Sequence, residues 1–275
     1  MLKKGKVAIS LKGVILMECK IESWLWKAVV NAAHYIKPEA VFNFEKKGLR
    51  IRCQHEAGFS LIHLEVPASC FKSYEPLGEP IKLACAPILK RLTGLNPANV
   101  VTLKVDLKSS SGFKMDLATK FGHSVRGVPI FALEEGKDVE PPEVKMFVAD
   151  AKAKVVASAL LSAVKDAELI ESLGVWFEGR SNPDRFVVWN TEHGTFNSSW
   201  SEFEEPLSLF ALEVKGERVK SRYGCYLVKD VLSAGIAFSN VCRVGFAESM
   251  PMKISFELPF EGKLEFFVAP IIEKE

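Results

Sequence analysis

The chain has 275 residues, 48% of them hydrophobic and 25% charged, with 36 Lys and Arg against 34 Asp and Glu. Such a chain buries a full core in one or two domains. A formal net charge of +2 excludes a surface that is basic all round and leaves room for one positive face. No apolar run reaches the roughly 18 residues of a membrane-crossing helix. The apolar run at 14–17, behind Lys3, Lys4, Lys6 and Lys12, is too short for a secretory signal. The cysteines Cys19, Cys53, Cys70, Cys85, Cys225 and Cys242 lie far apart with no C-x-x-C pair, and read as free buried thiols in a reducing compartment.

In chain order, residues 14–21 alternate as a first strand. Residues 24–36 are an amphipathic helix with Leu25, Val29, Ala32, Ala33 and Ile36 in one stripe and Lys27, Asn31 and His34 on another face. Pro38 stops it. Strands follow at 40–45, 49–55 and 60–66, then a connector. A strand at 81–84 leads into a second helix at 88–95, which carries Lys90 and Arg91. Strands at 100–105 and beyond a Ser/Gly turn precede another at 120–130, broken near Gly122 and Gly127.

Residues 131–143, FALEEGKDVEPPE, are acidic, hold two adjacent prolines and lack a strand period. They read as the linker between an N-terminal domain (1–130) and a C-terminal domain (144–275). Glu134, Glu135, Asp138, Glu140 and Glu143 lack the glycine and spacing of a calcium loop and read as a solvated acidic tether.

The strand pattern restarts at 144–149. A third helix is expected over 152–167, with Lys152, Lys154 and Lys165 on it. Strands at 173–178, 185–190 and 195–201 follow, then a hairpin of 208–215 and 217–221. Leu227, Val231, Leu232 and Ile236 mark a fourth helix, which carries Lys229. Strands at 241–246, 252–258 and 264–268 close the chain, and Pro270 ends the last.

The second half repeats the plan of the first: strand, helix, hairpins, helix, hairpins. The fold class is therefore α+β, a duplicated unit with helices on one side of antiparallel sheets. Equivalent places in a repeat put the lysines of all four helices on one positive surface, which suits phosphates without reading sequence.

No phosphate-binding, dinucleotide, nucleophile-elbow or zincin motif occurs. His55 and His63 on one hairpin have no third metal ligand beside them and read as surface histidines. With Cys53 they are the only candidates for a minor reading, an enzyme on a duplicated α+β scaffold. Asn197-Ser198-Ser199 matches a glycosylation acceptor by chance. Catalytic residues: none; metal: none; cofactors: none.

The closing segment ESMPMKISFEL…GKLEFFVAPIIEKE resembles the C-terminus of the proliferating cell nuclear antigen family, the sliding clamps of eukaryotes and archaea. The matching features are Met250-Pro251-Met252, Gly262, Phe266-Phe267, Ala269-Pro270 and an acidic tail, Glu273, Lys274 and Glu275. In element order the resemblance covers nearly the whole chain, after an extension of about fourteen residues before the family's first strand.

The resemblance implies a two-domain sliding-clamp fold and a ring of three subunits around duplex DNA, with helices lining the hole. It implies a polymerase processivity factor, not an enzyme, that tethers DNA polymerase, flap endonuclease, DNA ligase and the clamp loader. Homotrimers and heterotrimers both fit, and a checkpoint-type or monomeric clamp-like subunit is the related alternative. It implies no membrane partner, and a cytoplasmic site in an archaeon or a nuclear one in a eukaryote. The implied DNA-binding residues are Lys27, His34, Lys90, Arg91, Lys154 and Lys229, with His34 where the family has lysine. The implied pocket, for a short peptide with a glutamine and paired aromatics, is Phe59, Phe131, Leu133, Pro251, Phe267, Ala269 and Pro270.

Overall fold

The computed structural model describes residues 17–105, 112–119, 122–134, 138, 140–141, 144, 147–169, 173–190, 195–202 and 208–272. The N-terminal extension, Glu135, Glu143 and the acidic tail lie outside the described residues.

The first half runs β1 (Met17–Glu22), α1 (Ser23–Ile36), β2 (Glu39–Glu45), β3 (Gly48–Gln54), β4 (Ser60–Pro67), β5 (Ser73–Glu75), β6 (Pro80–Ala84), α2 (Cys85–Leu92), β7 (Val100–Val105), β8 (Phe113–Thr119), β9 (Gly122–Val128) and β10 (Ile130–Phe131). The second runs β11 (Ala151–Val156), α3 (Ala157–Leu169), β12 (Gly174–Ser181), β13 (Asp184–Asn190), β14 (Phe196–Trp200), β15 (Leu209–Val214), β16 (Arg218–Gly224), α4 (Cys225–Ile236), β17 (Val241–Phe246), β18 (Met252–Glu257) and β19 (Lys263–Val268). This is the duplicated α+β plan read from the sequence.

Three differences matter. Residues 151–156 are strand, so the third helix begins at Ala157. Ala151, Ala153 and Val155 are buried while Lys152 is exposed and Lys154 half-exposed, a period of two. The strand pairs with β15 on one side and β17 on the other, and this double pairing overrides the helix propensity of Ala and Lys. Residues 144 and 147–149, expected as strand, are instead the end of the linker. The connector after β4 also hides a short strand, β5, which pairs with β1.

A ten-stranded sheet in the order β10-β6-β2-β3-β4-β19-β18-β17-β11-β15 runs through both halves. Its central seam is β4 against β19, with Leu61 opposite Phe267 and Leu64 opposite Leu264. A five-stranded sheet, β5-β1-β7-β8-β9, and a four-stranded sheet, β14-β13-β12-β16, complete the two halves. The helices make one row, α2 on α1, α1 on α4, α4 on α3.

Side-chain alternation divides the ten-stranded sheet. Ala153, Val244, Ile254, Phe266 and Ile62 lie in one buried cross-strand row on the helix side. Lys152, Gly245, Lys253, Phe267 and Leu61 form a row on the opposite, outward side. Trp26 of α1, fully buried, packs at 5.7 Å on Phe42 and 6.1 Å on Phe113, which locks α1 between two sheets.

Candidate nucleic-acid face and partner pocket

On α1, Lys27, Asn31 and His34 fall at i, i+4 and i+7 and form its solvent stripe, because the neighbouring positions are buried. Neither α1 nor α2 contains an acidic residue. Lys27 and Lys90 are exposed, and among the described residues no carboxylate pairs with either. Arg91 is half-buried, and its carbonyl accepts a 2.7 Å hydrogen bond from Arg126 Nη1, which ties α2 to β9. His34 is half-buried with Nδ1 out of solvent and without a hydrogen bond.

The other helix pair differs. In α3, Lys165 is followed by Asp166 and Glu168. On α4, Lys229 is paired to Glu168, whose carboxylate raises the ammonium's pKa above its ordinary value. Lys229 therefore carries a charge already neutralised by a neighbour. Lys154 is not on a helix at all; alternation along β11 turns it to the outward face, away from the helix row. The positive surface expected over four helices is confined to α1 and α2.

The linker is not a solvated tether. It leaves β10, where Phe131 pairs with Lys82 of β6, and crosses the outward face of the sheet. Asp138, its side chain 2% exposed, is 3.0 Å from Lys82 Nζ and 3.4 Å from Lys37 Nζ. Burial works against ionising this carboxyl, but the Glu134 N–H and the Lys82 and Lys37 ammonium groups outweigh it and hold its pKa below the ordinary value. Glu140 then pairs with Arg50 and Arg52 of β3. Val144 reaches a small cleft it shares with Leu61, His63 and Phe267. Phe147 ends the crossing with its ring edge-on to Phe267 at 6.1 Å.

This path corrects the pocket. Phe131 sits at the far edge of the sheet, five strand spacings from β19, or roughly 24 Å. Leu133, two residues on, stays near that edge. Among the described linker residues, Val144 shares a cleft with Phe267 and Phe147 packs on its ring, both of which sequence reasoning missed. The remaining residues do converge. The Ala269 N–H donates to the Phe59 carbonyl at 2.8 Å, and Tyr223 Oη donates to the Met250 carbonyl at 2.8 Å, next to exposed Pro251. Pro270 bridges to Tyr223. Phe59 is exposed at the mouth, and Phe267 is buried beneath it.

The enzyme candidates do not assemble. His55 lies in the loop beyond β3 and accepts the Ala57 N–H at 3.2 Å. His63 points instead to Glu65, 2.7 Å from its Nε2. Cys53 is buried, and burial pushes its thiol up to about 12, so no thiolate nucleophile forms near neutrality. All six cysteines are unbridged. Among the described residues, no helix is long and apolar enough to cross a membrane.

No family model matches the chain. It is 27% identical over 247 residues to the DNA polymerase sliding clamp of Pyrococcus furiosus, covering 90% of this chain and 94% of that protein. With the sliding clamp of Methanococcus maripaludis it shares 23% identity over 256 residues, covering 90% and 96%. Its fold superposes on PCNA of Thermococcus kodakaraensis with a TM-score of 0.80 at 20% identity, covering 93% of this chain and 100% of that one. A. fulgidus PCNA bound to the C-terminal region of FEN-1 gives a TM-score of 0.77 at 20% identity, covering 94% and 100%. Over nine-tenths of its length the chain is similar in sequence to archaeal DNA polymerase sliding clamps, and its fold is that of PCNA.

Proposed function

We propose that the chain is a polymerase processivity factor, a subunit of a ring that encircles duplex DNA and tethers replication and repair enzymes. It is a scaffold, not an enzyme, and its two domains meet across the linker at 131–143. The observation that carries this is the acid-free face of α1 and α2, with no carboxylate paired to Lys27 or Lys90 among the described residues, set opposite an apolar pocket on the outward side. Cations that contact phosphates without reading bases permit sliding. Lys27, His34, Lys90 and Arg91 are the DNA-facing set. The pocket of Phe59, Val144, Phe147, Pro251, Phe267, Ala269 and Pro270 takes the paired aromatics of partner peptides. The A. fulgidus PCNA complex with the FEN-1 C-terminal region supports a flap endonuclease as one such partner.

The test is retention on DNA. After loading onto nicked circles, the chain should remain through a salt wash and leave when the circle is cut. Equal, salt-sensitive binding to circular and linear DNA would overturn the encircling mechanism.

A further inference from the structure

Beyond Phe147 the outward face carries a groove of about 350 Å³ that the pocket at Phe267 does not use. Ala149, Ala211 and Gly245 form its floor, and the Phe147 ring is the wall it shares with that pocket. A Cβ on Gly245 would stand 3.1 Å from the Phe147 ring and 3.2 Å from Ala149 Cβ, so only glycine lets the wall come this close without displacement. Strand register sets the rim. Lys152, Gly245, Lys253 and Phe267 stand in one row across four strands, and Lys154, Arg243 and Ser255 in the next.

Four cations, Lys152, Lys154, Arg243 and Lys253, line the groove against a single carboxylate, Glu213. Lys152 pairs with Glu213, whose side chain is 75% exposed, and Arg243 with Glu257, 68% exposed. Exposed pairs of this kind are weak and exchange readily. Lys253 pairs with Glu265 and also places its ammonium 5.9 Å over the Phe267 ring. Among the described residues Lys154 has no carboxylate partner. Its strand is three spacings, about 14 Å, from Phe267, within reach of a few extended residues.

We propose that this groove is a specificity site for partner peptides, and that its occupant is an acidic, extended segment directly flanking the apolar anchor. The inference rests on the reading of the Phe267 pocket as the anchor site. Continuity argues for the same peptide, because Phe147 and Lys253 belong to both spaces. Charge argues for glutamate or aspartate, because Lys154 has no carboxylate partner among the described residues and Lys152 and Arg243 are held only by exposed carboxylates that can be displaced into water. Position argues for one flank only, because the groove leaves the pocket on the β17–β11 side while the docked linker covers the β3 side.

Fluorescence anisotropy on the full chain tests this with three labelled peptides. One is the anchor alone, with glutamine and paired aromatics; the others add a short glutamate run before it or after it. One acidic flank, and not the other, should tighten binding about fivefold at low salt, with the gain lost at raised salt. Lys154→Glu should abolish the gain and leave the anchor-alone affinity unchanged, and Lys154→Gln should reduce it. Thermal unfolding of both variants checks that the strand is intact. A gain from neither flank, an equal gain from both, or a gain that survives Lys154→Glu in a folded protein overturns the proposal while the pocket reading stands. Failure of the anchor peptide itself to bind overturns both.

Discussion

Asp138 and Lys82 are nearly buried, at 2% and 6% side-chain exposure, and each is the other's nearest opposite charge. Breaking a buried pair leaves one charge uncompensated, which is the costly way to lose it. Asp138→Asn keeps the shape and removes the charge; Glu39 and Glu134 remain near Lys82 and offset part of the loss. The expected cost is about 1–3 kcal/mol of local stability. It should appear as faster hydrogen exchange at the Glu134 amide, which Asp138 Oδ2 accepts at 2.7 Å. Exchange unchanged in the variant would remove the pair from the linker's anchorage. The pH dependence has a defined sign. The Asp138 carboxyl is lowered from 3.8, so its contribution is full above that value and fades as pH falls through its folded value. Lys82 is raised from 10.5, so its contribution is full below that value and fades only at still higher pH. The linker should stay docked across the neutral range and loosen in strong acid.

At the scale of elements, α4 depends on one missing side chain. A Cβ on Gly235 would lie 2.0 Å from the Phe256 ring, so the glycine lets α4 sit directly on β18. Alanine gains about 1 kcal/mol of helix propensity over glycine. Overpacking here costs about 1–3 kcal/mol and outweighs it. Gly235→Ala should therefore lower Tm; a raised Tm would mean that Phe256 has room to turn away. The sequence shows this helix through Leu227, Val231, Leu232 and Ile236, but not the close approach to Phe256 that Gly235 permits. Most elements were legible in the same way, because the alternation of β18 and the stripe of α1 are local patterns. Lys154 was misplaced because its strand is fixed by partners on both edges, not by its neighbours in sequence. The linker's path was invisible for the same reason. Asp138 meets Lys82 at 56 residues' separation, and Phe147 meets Phe267 only after the linker has crossed from the β10 edge to β19. Phe59, Pro251, Phe267, Ala269 and Pro270 came from the family resemblance; Val144 and Phe147 needed coordinates.

For the whole molecule, the proposed ring needs two complementary strand edges to form its seam. Among the described residues, β9 and β14 each pair on one side only. The other long edges are partly covered. β16 is bridged by Pro270 and holds the Ile271 N–H, and β15 packs on β12 and β13 with its Leu212 N–H taken by Glu202. An open edge is a template for another chain. Val125 on β9 is 63% exposed, an apolar side chain in the middle of that edge. On β14, Phe196 and Trp200 are half-buried on the edge, with Trp200 stacked 5.8 Å from Phe186. Pairing β9 of one chain with β14 of the next is a head-to-tail contact, which closes into a ring when the rotation allows. Light scattering on the chain alone should give a mass near three chains, and Val125→Arg should shift it to one. A Lys27→Ala, Lys90→Ala variant should keep the mass and weaken polymerase stimulation, since exposed charges away from the seam leave folding intact; unchanged stimulation would remove both lysines from the DNA path. If Val125→Arg keeps the trimer mass, the seam lies elsewhere. A wild-type mass of one chain would instead place the seam between this chain and a different clamp subunit.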